Sequence, residues 1–74
     1  MSFNLREHKF ITPQKTERAL VMFPDRKRDG IFWTAVDDGL GFNAMRCDFT
    51  REEADARFDE RIAQLIRNGW ETIR

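Results

Sequence analysis

The segment FPDRKRDGIFW, residues 23–33, sets Arg26, Lys27 and Arg28 side by side between Asp25 and Asp29. Adjacent guanidinium and ammonium groups on a loop suit phosphate contact, because each one that meets a nucleic-acid backbone displaces condensed counterions. Arg18 and Lys15 lie upstream and extend the candidate patch. About three to five such contacts predict a slope of log affinity against log salt of roughly −3 to −4.5 on double-stranded DNA.

Covalent chemistry has little to work with. Ser2 is the only serine, tyrosine is absent, and His8 and Cys47 are the lone histidine and cysteine. A nucleophile, a base and an orienting group do not assemble from these parts. One thiolate and one imidazole, far apart in sequence, do not make a zinc ligand set. Asp37 and Asp38 precede a glycine, which marks a turn, and they lack the alternating oxygens of a calcium loop. The GLG triplet at 39–41 lacks the further glycine and following helix of a phosphate loop. The sequence therefore predicts a non-enzymatic protein with no cofactor and no metal.

The chain that must position the cations is short. At 74 residues it reads as one domain, and a domain of this size buries only roughly 60–65% of the surface of its unfolded chain. Seven Phe, two Trp and 41% apolar residues argue for a folded core, but small scaffolds generally need a staple. A single cysteine excludes an internal disulfide, which leaves oligomerisation. The lone thiol and the absence of a long apolar run predict a cytoplasmic protein without a membrane partner. Net charge is zero, yet residues 1–36 carry seven Lys/Arg against four Asp/Glu, and the remainder carries six against nine. Such a dipolar chain can offer a cationic end to a polyanion.

Residues 1–16 show no clear period and contain Pro13, so they read as an irregular arm. RALVMF (18–23) and GIFWTAV (30–36) are rich in strand formers and flank the basic turn as a hairpin. Asp38-Gly39 marks a second turn before FNAMRCDF (42–49), a third strand with Met45, Cys47 and Phe49 assigned to the apolar face. The meander thus occupies 17–49. A helix is predicted over 50–68: Thr50 and Glu53 form a capping box, and Ala54, Phe58, Ile62, Leu65 and Ile66 make one apolar stripe. Gly69 suits the left-handed position after its end, and residues 69–74 form a tail. The predicted fold is α+β, an antiparallel sheet of three or four strands with one long C-terminal helix on one face.

Both strands of the hairpin are apolar on both faces, whereas one helix covers one face. Leu20, Met22, Phe32 and Trp33 are accordingly assigned to a sheet-to-sheet homodimer interface, which would bring two basic turns into one assembly.

Residues 49–73, FTREEADARFDERIAQLIRNGWETI, resemble the closing half of a WGR domain at Phe49, Thr50, Glu52, Glu53, Ala54, Phe58, Gly69 and Trp70. The resemblance covers about a third of the chain and implies a small antiparallel sheet with a helix and an association with nucleic acid. The Trp-Gly-Arg element itself is absent, since Trp33 is followed by neither Gly nor Arg, so no binding residue carries over. The function expected is a small nucleic-acid-binding or regulatory protein. The alternative is a protein-binding inhibitor or adaptor of the mobile-element type, acting on a larger protein through an apolar sheet face or the acidic helix.

Overall fold

The computed structural model describes residues 4–73. Five strands and one helix follow in the order β1 (Arg6–Ile11), β2 (Glu17–Pro24), β3 (Phe32–Asp37), β4 (Phe42–Asp48), α1 (Arg51–Arg67) and β5 (Glu71–Thr72). They form one antiparallel sheet with strand order β4-β3-β2-β1-β5, and α1 packs across one face. The α+β class and the meander followed by a helix are as the sequence predicts, with five strands in place of three or four. None of the described helices is long and apolar enough to cross a membrane.

The predicted irregular arm is corrected: residues 6–11 are a strand paired with β2 along their whole length, from Arg6 opposite Met22 to Ile11 opposite Glu17. Pro13 does not interrupt it, because it falls in the 12–16 turn. There the Thr12 backbone N–H donates to the Thr16 carbonyl, and Lys15 takes a left-handed φ of 67°. The helix begins where its cap predicts, with the Thr50 hydroxyl accepting from the Glu53 N–H at 3.0 Å. It ends in two reversed bonds, from Gly69 N–H to the Ile66 carbonyl and from Trp70 N–H to that of Leu65. Gly69 has φ 92°, and a Cβ there would stand 3.3 Å from the Pro13 ring, so the position needs glycine twice over.

Register decides the core. Directly opposed residues share a face, so Phe10, Leu20, Met22, Phe32 and Val36 point together under α1, where Ala54, Phe58 and Leu65 close over them. Three of the charges on this face, Arg6, Arg57 and Asp48, are paired. Arg6 lies over the Phe58 ring at 4.3 Å and donates to Asp55 and Asp59. Arg57 Nε donates to Asp48 at 2.7 Å.

Strand β4 carries the second correction. Its helix-facing residues are Arg46 and buried Asp48, whereas Met45 and Phe49 are exposed and Cys47 is half-buried. Arg57 provides the compensating charge that lets Asp48 occupy the inner face. A bulge sets Ala44 and Met45 against Ala35 alone, with Ala44 at φ 53°.

Candidate nucleic-acid interface

The basic turn is built by one carboxylate. Asp25 N–H donates to the Ile31 carbonyl and closes the loop at 2.8 Å, while Asp25 Oδ1 accepts from the backbone N–H groups of Lys27 and Arg28. Its other oxygen accepts from the Trp33 indole at 3.0 Å and from the Arg28 guanidinium at 3.3 Å. These donors, led by the Trp33 indole, hold the Asp25 carboxyl down at about 2, from an ordinary value of 3.8. Gly30, at φ 79°, supplies the reversal before β3. The turn is thus a folded structure tied to the sheet through Trp33.

The five predicted phosphate contacts do not form one patch. Arg26, Lys27 and Arg28 are exposed at one end of the sheet, and Arg28 is already paired with Asp25. Lys15 sits in the turn at the other end, where its backbone serves the left-handed position. The eight residues of β2 separate the two ends by roughly 25 Å at about 3.3 Å per residue. Arg18 lies near that far end, donating to its neighbour's carbonyl and lining a shallow depression with Glu17, Asp37 and Asp38. The patch of five is therefore corrected to the turn itself, with Lys15 and Arg18 outside it. Sequence proximity misleads here because an antiparallel strand carries its two ends to opposite edges of the molecule.

The predicted interface residues divide as well. Leu20 and Met22 are fully buried beneath α1 and Phe32 packs against the same cluster, so none of the three is available to a partner on the open face. Trp33 alone lies on the open side, opposite Phe23 on one neighbouring strand and Cys47 on the other. The face that remains open is formed by Phe23, Trp33, Cys47, Phe42 and Met45. Phe23 and Phe42 stack with ring centroids 5.1 Å apart. Phe42 is 48% exposed and Met45 44%.

A groove of about 750 Å³ runs along this side, lined by Asn4, Phe23, Pro24, Phe42 and Met45 and, at its rim, Asp25 and Arg26. Arg26 of the basic turn and the exposed aromatics thus share one concave surface. Phe42 and Met45 are not candidate binding residues in the sequence, because the alternation of Met45, Cys47 and Phe49 with polar residues reads as a stripe facing the core. Among the described residues, no three metal-ligating side chains come together. Compared with known proteins, the chain matches no family model, no curated protein and no solved structure.

Proposed function

We propose that this domain is a small non-catalytic module that binds nucleic acid, with the basic turn against the phosphate backbone and the open aromatic face against unpaired bases. One observation carries the reading: Arg26 lines the same groove as Phe23 and Phe42. A cationic rim beside exposed rings is the arrangement that holds single strands, in which bases stack on aromatic side chains while the charges follow the backbone. The WGR-like relationship of residues 49–73 belongs to this proposal. The small antiparallel sheet with its helix is in keeping with it.

The turn offers about two to three phosphate contacts, so the slope of log affinity against log salt on single strands is roughly −1.4 to −2.1. The test is a titration of single- and double-stranded DNA and RNA oligonucleotides at two salt concentrations. Wild type is compared with a variant in which Arg26, Lys27 and Arg28 are all serine, and with Phe42→Ala. The triple variant is expected to lose affinity on all sequences and to flatten the slope. Phe42→Ala is expected to cost about 1–3 kcal/mol on single strands only. Unchanged binding by the triple variant would overturn the proposal.

A second reading, docking of a second copy or a larger protein on the same face, is favoured by exposed Met45 and Leu5, which supply apolar contact without a ring to stack on. In that case sedimentation of wild type shows self-association or a defined complex, which Phe42→Ala abolishes with no dependence on the turn cations.

A further inference from the structure

A second concave site lies on the helix side of the sheet, between α1 and the edge strand β4. This crevice of about 260 Å³ is walled by Arg46 from the strand and by Arg57, Glu60, Arg61 and Gln64 from the helix, and Thr34 lies within its lining. Thr34 is only 3% exposed, and its hydroxyl has no hydrogen-bond partner among the described residues. Buried hydroxyls are almost always satisfied, so this one points to something that occupies the crevice. The bulge of β4 makes the room: Ala44 presents a single methyl to the site, and the next side chain along, Met45, goes to the opposite face.

The lining is rich in donors, three guanidinium groups and a hydroxyl, with the Glu60 carboxylate as its one charged acceptor. Gln64 Oε1 accepts from Arg61 at 2.9 Å, and neighbouring Asp48 accepts from Arg57 Nε. Arg46 has no ion-pair partner among the described residues. Three guanidinium groups against Glu60 and Asp48 leave one net positive charge. The hydroxyl of Thr34, the forks of Arg46 and Arg57 and the Gln64 amide remain as donors. Planar forks of this kind match the oxygens of a phosphate better than a point charge does. The volume is several times the share of a single water, about 30 Å³.

We propose that this crevice binds a phosphate group, either free or as the monoester of a small molecule, with Arg46 as its principal charged contact and Thr34 as the buried donor. The site lies across the sheet from the groove of Phe23 and Phe42 and does not depend on the nucleic-acid reading. The probe is inorganic phosphate, titrated against chloride at matched ionic strength and followed through the amide resonances of Thr34 and Gln64. Wild type is expected to show saturable shifts. Arg46→Gln and Thr34→Val each weaken binding about tenfold, as loss of one charge-assisted or buried hydrogen bond implies. The variant with serine at 26, 27 and 28 binds phosphate as wild type does.

A 5′-mononucleotide beside its unphosphorylated nucleoside separates the two sources: tighter binding of the nucleotide than of inorganic phosphate assigns the site to monoesters, and equal binding assigns it to the free ion. Thr34→Val keeps shape and strand propensity, and Arg46→Gln changes an exposed edge position, so at least one variant remains folded for the measurement. No saturable shift, or the same affinity in Arg46→Gln as in wild type, would overturn the site. So would a lower melting temperature of Thr34→Val together with no phosphate response, which would assign the hydroxyl to a structural water.

Discussion

The two faces of this sheet start from similar composition and end in different states. Under the helix, Phe10, Leu20, Met22 and Val36 are closed over by Ala54, Phe58 and Leu65, and the charges set closest to that cluster, Arg6 and Asp48, have partners. On the other side Val21 and Ala35 are as completely buried as the core, at 0% and 1% exposure, with no helix or second sheet above them among the described residues. Their larger neighbours across the strands, among them Phe23 and Trp33, shield them and remain partly in water themselves. Short side chains in central strands can therefore be kept dry by flanking rings, while the rings themselves stay partly exposed. The buried core is concentrated on one face and exposed aromatic surface on the other.

Substitutions of equal size on the two faces test that division. Phe58→Ala opens a cavity beneath α1 and also removes the ring under Arg6, and is expected to destabilise by about 3–5 kcal/mol in denaturant unfolding. That is a large part of the stability a small domain possesses. Gly69→Ala is expected to cost about 1–2 kcal/mol, since it forces a side chain into a left-handed position and toward Pro13. Phe42→Ser on the open face is expected to move stability by no more than about 0.5 kcal/mol. A large loss there would mean that the open face is part of the core.

The smallest effect appears only in acid. Asp25 has its carboxyl lowered from 3.8 to about 2 in the folded protein, so between these values the unfolded chain binds more protons than the native one. Its contribution is complete above about pH 4 and is lost as the pH falls toward 2. Trp33 fluorescence, followed from pH 5 to 2, is expected to report release of the indole, and Asp25→Asn to remove that titration.

The helix is legible because its signals are local: a cap at Thr50, a stripe from Ala54 to Ile66, of which Ile66 alone turns out half exposed, and a stop at Gly69 all lie within one stretch of chain. The hairpin was legible for the same reason. β1 was not, because its inward positions are Arg6, His8 and Phe10, and two of these three are polar. Arg6 is accommodated by Phe58, Asp55 and Asp59, and His8 packs against the Phe10 ring, with its Nε2 3.1 Å from the Thr72 hydroxyl. All of these partners except Phe10 are distant in sequence, so the alternation is masked until the chain is folded. The candidate interface failed on a related point. Leu20 and Trp33 are equally apolar, and only the position of α1 separates them.

The pairing of β5 with β1 has a consequence for the order in which the chain is made. β1 is synthesised before the other four strands, and β2 covers one of its edges soon afterwards. The C-terminal end of its other edge is closed by Thr72 opposite Phe10, Glu71 opposite Ile11 and the Ile73 N–H donating to the Lys9 carbonyl. Throughout the synthesis of residues 12–70 that edge remains a row of free backbone groups, able to pair with the same strand on a neighbouring nascent chain. The run Arg6-Glu7-His8-Lys9 places charged and polar side chains along the vulnerable stretch, the gatekeeping that discourages such pairing. The polarity that hides β1 from a reading of hydrophobic period thus keeps it solitary until its late partner arrives.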